Sequence, residues 1–166
     1  MAGITTRVRL TSFTDYGLRM LMRMASAPER VFSTAELADE FALSRNHLAK
    51  IMQRLAQAGI IETRRGGGGG ALLARAPKDL TLGEIVRLLE DGQPLVDCLA
   101  GADNACSLEG RCRLKFRLRA AEQAFLGELD RHVLADVALD DADTARFEQE
   151  RKSADHSADT AGSVMQ

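Results

Sequence analysis

Three amphipathic segments follow one another closely, and two brief apolar stretches then flank the run Gly66–Gly70. This order constrains the fold more than any other feature of the 166 residues. In 12–27, Leu18, Leu21, Met22 and Ala25 fall at i, i+3, i+4 and i+7, one face of a helix, and Pro28 lies just beyond. A second helix is predicted over 33–41, where Ser33 and Glu36 have capping-box spacing and Leu37, Ala38 and Phe41 supply an apolar side. A third is predicted over 44–58, with Ser44 as N-cap, a stripe of Leu48, Ile51, Met52, Leu55 and Ala58, and Gly59 as the stop. Only Ala42–Leu43 separates the second from the third. Ile60–Arg64 and Ala71–Ala74 read as the strands of a hairpin. Five glycines also fit a plain linker, but the flanking strands and the pair Arg64–Arg65 favour the hairpin. Three helices and a hairpin, with so short a link, predict a mainly α winged helix-turn-helix with a two-stranded wing.

The second half has a different organisation. A fourth helix is predicted over 81–90, again with a capping-box pair, Thr81 and Glu84. Residues 91–111 form a long loop carrying Cys98 and Cys106, and Cys112 stands at its end; a loop of this length points to something functional that orders it. Leu114, Leu118, Ala121, Phe125, Leu129, Val133 and Val137 keep a repeat of 3.5–3.6, predicting one long helix over 113–138. Such a helix suits pairing with a second copy in a homodimer, or packing back on its own domain. From Asp140 the chain is small and polar and is expected to be disordered. The expected organisation is therefore an extension at 1–8, the winged helix-turn-helix at 9–78, a helix and cysteine loop at 79–112, a dimerisation helix at 113–139 and a tail at 140–166.

Charge divides the chain the same way. Residues 1–78 hold 12 Lys/Arg against 6 Asp/Glu, and residues 79–166 hold 10 against 18. A basic front half points to a polyanion partner. In a helix-turn-helix the third helix enters the major groove of duplex DNA. The candidate contacts there are Arg45, Asn46, His47, Lys50 and Arg54, with Arg64 and Arg65 on the wing. Arg suits guanine edges, Asn suits adenine edges, and Lys and Arg neutralise phosphates. Each alone also reads as the solvated face of an amphipathic helix; the combination favours DNA.

No run approaches the roughly 18 apolar residues of a membrane span, and the N-terminus has no signal-peptide-like stretch. The expected location is the cytoplasm, with no membrane partner. In that reducing compartment Cys98, Cys106 and Cys112 are thiols or metal ligands rather than disulfides. Their C-x7-C-x5-C spacing is not the paired C-x2-C of a zinc site. Three soft thiolates suit an iron–sulfur cluster, which takes four ligands. Spacing alone leaves that reading, a structural zinc module and three unrelated cysteines all open. A thiol-redox enzyme would want a close cysteine pair and a cleft, neither of which is readable, so no enzyme is expected.

The segments RLTSFTDYGLRMLMRMA (9–25), SRNHLAKIMQRLAQAGI (44–60), RRGGGGGALLARAP (64–77) and CRLK (112–115), with the three cysteines, resemble the IscR/NsrR family of winged-helix iron–sulfur regulators over residues 9 to 138. The likeness is greatest to its nitric-oxide-sensing, NsrR-type repressors. The resemblance implies a homodimer on double-stranded operator DNA and a 4Fe–4S or 2Fe–2S cluster on Cys98, Cys106 and Cys112. It also implies that nitric oxide is the signal, nitrosylation releasing DNA and derepressing nitrosative-stress genes. In some NsrR-type members an aspartate of the first helix, donated in trans, completes the cluster; the matching position is Asp15, whose purely structural role would be to stabilise the first turn. IscR-type members carry a histidine three residues after the last cysteine, where this chain has Lys115. Cys98 and Cys106 are further apart than is usual in the family. The alternative is an iron, redox or cluster-supply regulator of the same family.

Overall fold

The computed structural model describes residues 10–64, 66, 69–96, 108 and 111–139. The expected extension at 1–8 and tail at 140–166, and with them Arg65, Cys98 and Cys106, lie outside the described residues.

Helix α1 spans Ser12–Ala25 and is capped by Thr11, whose hydroxyl accepts from Thr14 N at 3.3 Å. It stops short of the expected residue 27 because the Ser26 hydroxyl donates to the Arg23 carbonyl at 2.7 Å, taking the place of a further helical turn. Its inner face buries Met20, Leu21 and Met24 completely. Arg23 is buried as well, held by Glu40 at 3.0 Å and lying over the Phe32 ring.

Helix α2 spans Thr34–Glu40 and α3 spans Arg45–Gln57. Ser33 and Ser44 accept from Glu36 N and His47 N, as cap residues do. The return half of the expected capping box is diverted: Glu36 pairs with Arg30. The α2–α3 link runs over four residues rather than two. Ala42 takes φ 52° there, so that Leu43 N can reach the Ala38 carbonyl at 2.9 Å. Leu48, Ile51 and Leu55 of α3 are fully buried. At its end Gly59, with φ 69°, lets Ile60 N bond the Leu55 carbonyl at 3.0 Å, which closes the helix.

The wing is β1 (Ile61–Arg64) and β2 (Gly70–Leu73), antiparallel, with Ile61 opposite Leu73 and Arg64 opposite Gly70. Phe32, between α1 and α2, extends this sheet: it exchanges two 2.8 Å backbone bonds with Ala71 and is itself fully buried. Gly70 makes this possible, since a Cβ there would overlap the Phe32 carbonyl. Gly70→Ala is therefore expected to lower stability by about 2 kcal/mol, a backbone clash that side-chain rotation cannot relieve. A denaturant midpoint unchanged from wild type would show that the wing root yields more easily than this packing implies.

Helix α4 spans Leu82–Leu89, capped by Thr81, after a short 3-10 turn at Pro77–Asp79. It lies against α1 so closely that a Cβ on Gly17 would stand 2.6 Å from Leu89 Cδ1. Helix α5 spans Arg113–Leu129, and here the expectation of one helix to residue 138 is corrected. Asp130 caps α5, and Arg87 of α4 binds its carboxylate at 2.6 Å. That hydrogen bond is the main reason the Asp130 carboxyl sits below the usual carboxylate range; charge attraction to Arg87 and a bond from Thr81 act with it, against partial desolvation. The chain then turns back. His132 O accepts from Leu82 N at 2.9 Å, Leu134 N donates to Leu80 O at 2.8 Å, and Leu134–Val137 forms a 3-10 turn. Leu134 is fully buried in the core. Burying a leucine against α1 and the 3-10 turn at Pro77–Asp79 outweighs continuing a helix that has no buried residue among those described. None of the described residues of α5 is buried, and Leu114, Phe116 and Phe125 stand 62, 71 and 38% exposed.

Candidate nucleic-acid interface and metal site

The buried stripe of α3, with Leu48, Ile51 and Leu55 at its centre, decides where every other α3 side chain points. On the opposite side Asn46, Lys50, Gln53 and Gln57 follow at i, i+4, i+7 and i+11 and are all exposed, as are Arg45 and Ala49 beside them. Arg64 is exposed at the end of β1. Arg45, Asn46 and Lys50 therefore share the open side of α3, and Arg64 is exposed on the wing.

His47 and Arg54 do not join that side. Seven residues apart, they occupy one flank of the buried stripe. The His47 ring stacks on Phe13 at 6.4 Å and meets Tyr16 edge-on at 5.9 Å, and its buried Nε2 has no hydrogen-bond partner among the described residues. Arg54 donates through Nε to the Leu88 carbonyl at 3.3 Å and through Nη2 to Asp91 at 2.6 Å. Both side chains are committed to α1 and α4. Of the expected contacts on α3, these two stand apart from the exposed side that carries Asn46 and Lys50.

Gln53 and Gln57 share that exposed side and are not among the expected contacts. The same seven-residue step that relates Asn46 to Gln53 and Lys50 to Gln57 would have found them. Beside them runs an open groove of about 500 Å³, lined by Thr34, Ala49, Met52, Gln53, Ala56, Gln57 and Thr63, between the start of α2, the outer side of α3 and β1.

The described candidate ligands, Asp15 and Cys112, lie in the first turn of α1 and at the start of α5. Asp15 is half-exposed in the first turn of α1 and pairs with Arg19 at 3.0 Å. Cys112 is the N-cap of α5, its Sγ accepting from Lys115 N at 3.4 Å. An amide and the positive end of a helix dipole both face that sulfur, a setting that suits an anionic ligand atom. No group of three His, Cys, Asp or Glu side chains forms a metal site among the described residues, which include one of the three cysteines. The end of α4, just ahead of the cysteine segment, is tied to both neighbouring helices. Glu90 accepts from Thr11 N at 2.8 Å and from the Thr11 hydroxyl at 2.9 Å, at the start of α1. Arg54 ties the same turn to α3.

The family model described as "Rrf2: Iron-dependent Transcriptional regulator" matches residues 10–140. The chain belongs to the Rrf2 family. It is 39% identical over 137 residues to the HTH-type transcriptional regulator NsrR of Shouchella clausii, covering 82% of this chain and 92% of that one. It is 38% identical over 141 residues to the regulator of the same name from Bacillus subtilis, covering 84 and 97%. Among solved structures, Staphylococcus aureus CymR matches with a TM-score of 0.59 at 25% identity, over 77% of this chain and 96% of that one. T. potens IscR, at 23% identity, shows the fold alone, with a TM-score of 0.58 over 87 and 90%. This Rrf2 protein is thus a mainly α, winged-helix transcriptional repressor of the NsrR type. No helix among the described residues is long and apolar enough to cross a membrane.

Proposed function

We propose that this Rrf2 protein is a cytoplasmic homodimer that represses transcription from two-fold symmetric operators and senses nitric oxide through an iron–sulfur cluster. Cys98, Cys106 and Cys112 would hold the cluster, with Asp15 of the partner subunit as fourth ligand. The observation that carries the reading is the 38–39% identity to NsrR-type regulators over more than four-fifths of the chain. The donor set fits the group. Cys112 presents a soft sulfur at a helix N-terminus, and among the described residues Asp15 is held by an exposed ion pair with Arg19 that a metal can displace. When bound, the cluster supplies iron that reacts with nitric oxide.

The chain's own residues do the rest. Arg45, Asn46 and Lys50 face the major groove, and Arg64 and Arg65 of the wing reach the backbone or minor groove. His47 and Arg54 position α3 instead of touching DNA. The exposed face of α5, with Leu114, Phe116 and Phe125, is where a second copy would be met. A change at the cluster would pull on the last turn of α4. Glu90 and Arg54 pass that pull to α1 and α3, so the two DNA-reading heads lose their half-site register.

The test is anaerobic purification of the full chain with iron, sulfide and zinc analysis, followed by DNA binding before and after nitric oxide. Iron and sulfide in the protein, and an affinity loss of about 5- to 150-fold on nitric oxide, are the expected results. Stoichiometric zinc without sulfide, or equal DNA affinity before and after the gas, would overturn the proposal. Release by chelator or oxygen but not by nitric oxide would replace it with an iron- or redox-responsive regulator of the same fold.

A further inference from the structure

The groove beside α3 has a chemistry that the phosphate backbone does not want. Its lining residues carry amides, hydroxyls, methyl groups and a thioether, and none of them is charged. Phosphate contacts draw on Lys and Arg, and here Arg45, Lys50 and Arg64 lie outside that lining. Gln53 stands exposed at its edge, seven residues beyond Asn46 on the same stripe. Ala49, four residues before Gln53 and on the adjoining strip, puts a bare methyl next to it.

Glutamine and alanine together match one base pair in the major groove. A glutamine amide donates to adenine N7 and accepts from its N6 amino group; an alanine methyl packs on the thymine C5-methyl. We infer that Gln53 is a specificity-determining residue that reads the adenine of an A·T pair, with Ala49 against the thymine methyl of the same or the neighbouring pair. The half-site is then read along two further turns of α3 and not by its first turn alone. From Asn46 to Gln53 the helix rises about 10 Å, or roughly three base pairs. This rests on α3 lying in the major groove, as proposed above.

The experiment selects from a randomised duplex library with the full-length, anaerobically purified protein, its Gln53→Ala, Gln53→Glu and Lys50→Ala variants. The wild-type pool should contain an A·T position that becomes degenerate in the Gln53→Ala pool while the remaining positions are kept. Gln53→Glu, which can only accept, should turn that preference toward cytosine. On the wild-type consensus duplex, 7-deazaadenine at that position should weaken wild-type binding by about 5- to 100-fold and leave Gln53→Ala unaffected. Deoxyuridine in place of the thymine, which removes only the methyl, should weaken both proteins. Gln53 is exposed, so folding is not at stake; matching thermal midpoints verify that. An unchanged consensus with uniformly weaker binding in Gln53→Ala would make Gln53 a backbone contact and overturn the inference. If Lys50→Ala and Gln53→Ala both leave pool and affinity untouched, α3 is not the reading element, and the major-groove placement fails with it.

Discussion

Leu134→Ala is expected to lower the unfolding free energy by about 2–5 kcal/mol, the range for deleting a fully buried leucine side chain. Leu134 has no exposed surface, and its amide donates to Leu80 O at 2.8 Å. The amide bond survives truncation, so the loss is that of packing alone. Chemical denaturation should show a lower midpoint with an unchanged slope. Leu114→Ala, at a side chain 62% exposed, provides the comparison. Within one chain it should change stability by no more than about 0.5 kcal/mol. The two substitutions discriminate between structures. If a helix ran on to residue 138, Leu134 would fall outside the stripe of Leu114, Leu118, Phe125, Leu129, Val133 and Val137, and its truncation would be mild. A small effect at Leu134 would therefore restore the long continuous helix.

That contrast marks the limit of what the sequence makes legible. Local signals were sufficient wherever the deciding contact lies within a few residues. Ser33, Ser44 and Thr81 each cap the helix they precede, because the hydroxyl needs only the amide three positions on. Two short apolar stretches around a glycine run were enough for the wing. The features that local signals do not reach depend on partners far away in the chain. Val133 and Val137 continue the repeat of α5, yet the turn is set by Leu80, Thr81 and Arg87, more than 40 residues earlier. Phe32 falls between two predicted helices and is a bridge partner of β2 because Gly70 leaves room for it. In α3, polarity alone grouped His47 and Arg54 with Lys50. The angular position relative to Leu48, Ile51 and Leu55 separates them, and it brings in Gln53 and Gln57.

Arg54→Ala should leave the fold nearly as stable as before while reducing the response of DNA affinity to the signal. The ion pair with Asp91 is exposed, and pairs of that kind contribute about 0–1 kcal/mol to stability. The same guanidinium also holds the Leu88 carbonyl, so it ties α3 to the end of α4 through two contacts. A regulatory coupling is a free-energy difference between two states, and a contact of small net stability can still carry it when only one state makes it. Wild-type affinity is expected to fall by about 5- to 150-fold on nitric oxide, and in Arg54→Ala by only a few-fold. Asp91→Asn keeps the Leu88 bond and should give an intermediate response. Thr11→Ala removes the hydroxyl donor to Glu90 but leaves the backbone donor, and should leave most of the response intact. The readouts are duplex binding by anisotropy and a thermal midpoint, each with and without nitric oxide. A full response in Arg54→Ala, at unchanged iron content, would mean that α3 is controlled through the partner subunit and not through α4 of its own chain.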